Sequence, residues 1–270
     1  MGEELNQGAL LEVTSVALQG LLYPLGLKPR PIEALGPGCT RPVILIHGWG
    51  SNRSCMLPIE AYLRAVGFDR VFPFHYGPGG AGAGIEPLAE RLSEFVDRVR
   101  EACASDRKTV DLVAHSLGGL AARVYLQEMG GARHVDQCIT IGTPHLGTYS
   151  SYWAPTAVGR QMRPESDFMA SLNDGSSRAP GVRYLSIWAE LDLMILPREN
   201  AVYPEGDDTR IDGVGHSGIL LHPRTMKLVV ERLRAGQDIS ATRLQRVGHL
   251  ARGIWRTGRR LVGAVRVKKP

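Results

Sequence analysis

A chain of 270 residues with 43% hydrophobic and 22% charged residues can bury one large core, and it sits within the ordinary globular range. Its net charge of +5 is unevenly placed: positions 241–270 carry nine Arg and Lys and no Asp or Glu, leaving 23 basic against 27 acidic residues before them. The body is therefore mildly acidic, which excludes a catalytic unit built to grip nucleic acid, and four scattered cysteines without a CxxC exclude a ready-made zinc site.

The first apolar stretch is "GALLEVTSVALQGLLYPLGL" (8–27). It follows Met-Gly-Glu-Glu rather than a basic start, so it does not read as a secretory signal, although export stays open. Glu12, Gln19 and Pro24 interrupt it short of the ~20 residues that a membrane span needs. Leu10, Val13, Ala17 and Leu21 fall at helical spacing, which predicts a helix packed on the domain through that stripe. Next, "RPVILIHG" (41–48) is a continuous apolar run of the kind buried on both faces of a parallel sheet. A helix over 56–66, a strand "RVFPFHYG" (70–77) and an amphipathic helix over 86–103 follow. "TVDLVAH" (109–115) is a third strand, followed by a helix over 118–129. Two more strands, 136–145 and 181–192, precede a helix over 223–234. This alternation predicts an α/β fold with an open, mostly parallel sheet and helices on both faces, its chemistry at the carboxyl ends of the strands.

The stretch "VDLVAHSLGGLAARVY" (110–125) puts Ser116 where a strand turns into a helix, with Ala114 and Gly118 two positions to either side. A sharp turn there strains the serine, and a bulky neighbour two residues away would strike adjacent backbone. The Leu117 N–H then lies at a helix N-terminus, where it can stabilise a developing oxyanion. A second donor is offered by "HGWGSNRS" (47–54): Gly48 permits the tight turn that presents the Trp49 N–H, and His47 reads as a brace for that loop. The orienting acid and the base must come later in the chain. Asp192, at the end of "RYLSIWAEL", competes with Glu190, which strand alternation puts on the same side. His216, in the glycine-flanked "DGVGHSGIL", competes with His145 and His222.

Taken together, "VILIHGWGSNRS", "AHSLGG", "IGTPHLG", "DLMILP" and "GVGHSGILLHP" resemble the bacterial lipase and esterase family of the α/β-hydrolases, most nearly the minimal bacillary lipases. The resemblance covers roughly residues 40–235. It implies an α/β-hydrolase fold with a minimal cap, and a Ser116–Asp192–His216 triad with Trp49 and Leu117 as oxyanion-hole amides. It favours Asp192 over Glu190, and it makes His145 part of a structural motif. The implied activity is serine carboxylic-ester hydrolysis through an acyl-enzyme, with a small ester or acylglycerol as substrate and neither cofactor nor metal. Acyltransferase, thioesterase and lipid deacylase activities would use the same triad, whereas a non-catalytic binding protein of this fold would be expected to lose part of it.

Tyr149, Tyr152, Trp153 and Met162, in the roughly thirty residues after Gly147, are candidates to line an acyl pocket. The expected organisation is an N-terminal helical extension (1–39), a catalytic domain (40–236) and a basic amphipathic tail (237–270). In the tail, Leu244, Val247, Ala251, Ile254, Leu261 and Val265 fall near helical spacing. A cytoplasmic protein touching an anionic membrane through that tail is the sharpest reading of its charge.

Overall fold

A computed structural model of the chain describes residues 2–33, 41–77, 82–103, 109–175 and 179–235. Six strands form one sheet: β1 (Val43–Ile46), β2 (Val71–Phe74), β3 (Val110–His115), β4 (Val135–Ile141), β5 (Arg183–Ala189) and β6 (Asp207–Ile211). Their order is β2-β1-β3-β4-β5-β6, and every neighbouring pair is parallel. The central strands are buried along their length because apolar helices cover both faces. Alternate residues divide the core in two. Ile44, Ile46, Leu112 and Ala114 point toward α3 (Ile85–Ala102) and α4 (Leu117–Glu128). Val43, Leu45, Val113, Ile139 and Ile187 point toward α2 (Leu57–Ala65) and α7 (Pro223–Arg234).

Three features depart from the sequence reading. β6 was not expected: "DDTRI" is charged, with only Ile211 buried, because it pairs on one side alone. The segment after Gly147 contains two short helices, α5 (Ala157–Gln161) and α6 (Asp167–Asn173), whose Val158, Met169 and Leu172 enter the core. Met162 joins them in the core at 6% exposure.

The third departure concerns α1 (Gly2–Leu22), which continues into a 3-10 turn at Tyr23–Gly26. The helix forms as expected, but its predicted packing stripe faces outward. Leu10, Val13 and Leu21 are 50%, 67% and 75% exposed, and Ala17 is exposed as well. The inward face is Gly8, Leu11, Glu12, Ser15, Gln19 and Leu22, buried or half-buried at helical spacing. Specific polar contacts and a close backbone approach decide the orientation. A Cβ on Gly8 would lie 2.6 Å from the Gly213 carbonyl, and Glu12 is bonded to the loop after His216. The tail helix proposed for 237–270 lies outside the described residues.

Cys55, Cys103 and Cys138 are buried free thiols. Burial raises the Cys138 thiol to about 12, as suits a small core residue in β4. Among the described residues no cluster of His, Cys, Asp and Glu could hold a metal ion.

Candidate active site

Ser116 is the one described non-glycine residue with positive φ, at φ 53° and ψ −126°. It sits between the end of β3 and the first turn of α4, and two backbone contacts hold it there. Its N–H donates to Ile141 O (2.9 Å), and its carbonyl accepts from Thr143 Oγ1 (3.0 Å). A Cβ on Gly118 would lie 2.6 Å from His47 O, so only glycine lets α4 start this close to the end of β1. A Cβ on Gly48 would lie 2.9 Å from Ser116 Cβ, which sets the loop after β1 directly against the serine.

That loop is held more firmly than its glycines alone suggest. Gly48 O accepts from Tyr76 Oη (2.5 Å) and faces His47 Nδ1 (3.0 Å), while the His47 and Tyr76 rings stack at 3.8 Å. A trans peptide points its N–H opposite to its C=O. The Tyr76 and His47 contacts therefore fix the direction of the Trp49 N–H, away from both rings. Burial lowers the His47 imidazole to about 3, so it is neutral and acts as a brace. Tyr76 escaped the sequence reading because a tyrosine just beyond a strand carries no signal of its role.

His216 and Asp192 meet at the same end of the sheet. His216 Nδ1 lies 2.8 Å from Asp192 Oδ2, while Asp192 Oδ1 accepts from the N–H groups of Met194 (2.7 Å) and Ile195 (2.9 Å). Burial alone would raise the Asp192 carboxyl, but the His216 charge and these hydrogen bonds bring it below its usual range. Burial likewise opposes charge on His216, and the Asp192 carboxylate, with help from Glu12, raises it above 6.5 overall. The pair is thus tuned to keep Asp192 ionised beside a basic imidazole.

Ser116 and His216 flank the same turn after β4. The serine N–H is tied to Ile141, and a Cβ on the next residue, Gly142, would lie 3.3 Å from His216 Nδ1. His115, adjacent to the serine, places its Nε2 3.2 Å from His216 O, with ring centroids 4.8 Å apart. Burial, then the nearby His216 charge, lowers His115 to about 3, making it a neutral buttress.

The competing residues have other work. Glu190 Oε2 accepts from the Gly213 N–H (2.9 Å), and its other oxygen lies 4.0 Å from Arg210. His145 is buried with its Nε2 against Thr140 Oγ1 (2.9 Å), and its carbonyl accepts from the buried Arg123 (2.9 Å). His222 precedes the first turn of α7, where its carbonyl accepts from the Met226 N–H (3.2 Å) and its side chain makes no capping bond. Tyr149 and Tyr152 stack at 6.5 Å and are about half exposed, while Trp153 is 91% exposed. These three form an outward ledge, tied to the Asp192 loop by Thr148 Oγ1 donating to Met194 O (2.9 Å).

Glu12 of α1 was not expected near the site. Its carboxylate accepts from the Ser217 N–H (2.9 Å) and the Gly218 N–H (2.8 Å), the two residues that follow His216. Glu12→Gln should therefore lower the His216 pKa, because it removes a negative charge that raises it while leaving an acceptor for the loop. An NMR titration of the His216 ring reads this directly. An unchanged midpoint would leave Glu12 with a tethering role only.

Comparison with known proteins agrees with this architecture. Residues 40–166 match the family described as "Putative serine esterase (DUF676)". The fold is that of the α/β-hydrolases. Among solved structures, the mature Bacillus licheniformis lipase BlEst2 aligns at 16% identity with a TM-score of 0.61, over 76% of this chain and 94% of that one. Aspergillus fumigatus lipase B aligns at 18% identity and TM-score 0.62, over 78% of this chain and 56% of the fungal one. Legionella pneumophila phospholipase PlaB gives 12% identity and TM-score 0.60, over 78% of this chain and 62% of its own length.

Proposed function

We propose that the chain is a serine carboxylic-ester hydrolase. The observation that carries the reading is a strained serine between β3 and α4 and a His–Asp pair bonded at 2.8 Å, both set against the turn after β4. The serine esterase family match and the lipase and esterase neighbours support the same class of chemistry.

In this mechanism His216 Nε2 accepts the Ser116 proton as the hydroxyl oxygen attacks the ester carbonyl. Asp192 holds the proton on Nδ1 and stabilises the imidazolium that results. The N–H groups of Leu117 and Trp49 receive the developing oxyanion, each worth ~3–4 kcal/mol in comparable sites. The tetrahedral intermediate collapses, and His216 returns its proton to the departing alcohol. Water then attacks the acyl-enzyme with His216 as base, releasing the acid and restoring Ser116.

The exposed ledge of Tyr149, Tyr152 and Trp153 favours substrates whose acyl chains are not swallowed by a closed pocket, such as small esters and acylglycerols. Labelling with a fluorophosphonate tests the nucleophile: the parent should label at Ser116, and labelling that persists in Ser116→Ala would place the reaction elsewhere. Steady-state hydrolysis of p-nitrophenyl esters from C2 to C16 then ranks the acyl lengths. If added alcohols divert most of the acyl group from water, the transferase reading replaces the hydrolase one.

A further inference from the structure

The inner face of α1 and the turn after it touch three loops of the candidate site. Near the start of the helix, a Cβ on Gly8 would lie 2.7 Å from Cδ1 of Leu191, the neighbour of Asp192. One turn on, the Glu12 carboxylate accepts from the N–H groups of Ser217 (2.9 Å) and Gly218 (2.8 Å), directly after His216. Beyond the helix, Asn52 Nδ2 donates to Tyr23 O (2.9 Å). Arg53, 8% exposed, donates from Nε to Lys28 O (2.8 Å) and from Nη2 to Leu25 O. Asn52 and Arg53 lie at the end of the loop that carries Trp49.

The contacts are built into both partners. Gly26 and Gly215 are not among the glycines of positive φ, so their conformations do not demand glycine. What they share is a close approach across this boundary. A Cβ on Gly26 would lie 1.7 Å from Asn52 Oδ1, and one on Gly215 would lie 2.6 Å from Glu12 Oε2. The Glu12 bonds also meet a need of the loop. Ser217 and Gly218 open the 3-10 turn Gly218–Leu221, where the first N–H groups have no partner inside the turn, and the Ser217 side chain makes no capping bond. A carboxylate from α1 serves as that cap, and a charged acceptor makes the stronger bond.

The cap sits one residue from the proposed base. Asp192 holds the His216 ring at Nδ1 (2.8 Å), and His115 Nε2 donates to the His216 carbonyl (3.2 Å). The next two N–H groups go to Glu12, so a shift of Glu12 is passed to the imidazole through the chain.

We propose that α1 and its following turn form a positioning strap for the reaction. Glu12 sets the reach of His216 toward Ser116, and the turn over Tyr23–Lys28 sets the loop that offers the Trp49 N–H. The proposal rests on the esterase reading above and adds residues that touch no substrate.

The test uses the purified full chain, a soluble p-nitrophenyl ester and a melting curve for each variant. Glu12→Asp keeps the charge but draws the oxygens back by one methylene. It should lower kcat about tenfold or more, with KM little changed and the acidic limb of kcat/KM in place. Glu12→Gln keeps the reach and one acceptor, so kcat at the optimum should stay within about threefold of the parent. The titratable groups set around His216 are Asp192, Glu12 and the neutral His115, so losing the Glu12 charge should move that limb to lower pH. Gly26→Ala, at the other end, displaces Asn52 and should lower kcat several-fold without moving the limb. Val13→Ser, on the outer face, should change neither. A strap that only adds stability would lower the melting temperature of Glu12→Asp and Gly26→Ala while both turn over at the parent kcat, and that result overturns the proposal. A parent that hydrolyses no ester and takes no fluorophosphonate at Ser116 overturns the esterase reading and the strap with it. A parent that does both, beside folded Glu12→Asp and Gly26→Ala of unchanged kcat, overturns the strap alone.

Discussion

Ser116→Ala should lower the turnover of a soluble ester by a factor on the order of 10⁴ or more, while the protein remains folded. In the proposed mechanism the loss follows because the Ser116 hydroxyl forms the acyl bond, and residues 114–118 carry no other hydroxyl or thiol. The fold should survive because alanine keeps the Cβ and adds no atom to the tight contact with Gly48. A second variant checks the strain. A non-glycine residue held at φ 53° and ψ −126° costs about 1–3 kcal/mol, a cost that glycine largely avoids. Ser116→Gly should therefore melt a few degrees above Ser116→Ala, reduced somewhat by the greater freedom of glycine in the unfolded chain, and be equally inactive. Turnover by purified Ser116→Ala at the parent rate would remove the serine from the mechanism. Equal melting points would show that the turn stores little strain.

The parts of this molecule that the sequence made legible are those whose cause is local. The turn at Ser116 needs small residues at 114 and 118 for steric reasons, and the structure supplies the neighbour that requires one of them, His47 O. The central strands were readable because burial on both faces leaves an unbroken apolar run, as in "VILI". The edge strand β6 was not, since pairing on one side lets charged residues such as Asp207 and Asp208 stay exposed.

What stayed hidden depends on contacts between distant segments. Periodicity located the helix α1 but named the wrong face as inward, because the orientation is set by Glu12 meeting backbone amides about 205 residues away. The same holds for Tyr76, which orients the Gly48 carbonyl from the end of a neighbouring strand. Glu190 and Asp192 could not be separated by alternation because β5 ends at Ala189, before either of them. Beyond that point the side chains follow the turn. The Glu190 N–H donates to Ile211 O and the Leu191 N–H to Val214 O, which leaves Asp192 to meet His216.

That separation gives the other large expected effect. Asp192→Asn should reduce kcat by a factor on the order of 10⁴. In the parent, Oδ1 accepts two backbone N–H groups, from Met194 and Ile195. An asparagine would keep its oxygen there, since its amide NH₂ cannot accept from them. The NH₂ is then turned toward His216 Nδ1, which must become the acceptor. The ring proton moves to Nε2, and the nitrogen facing Ser116 can no longer take its proton. Losing the carboxylate also removes the charge that raises His216, so the acidic limb of kcat/KM for any residual activity should move to lower pH. Glu190→Gln should change kcat less than about tenfold, because Glu190 braces Gly213 and is 38% exposed, with no contact to the imidazole. Measured side by side at the pH optimum, the reverse ranking would transfer the orienting role to Glu190 and contradict the hydrogen bond between Asp192 and His216.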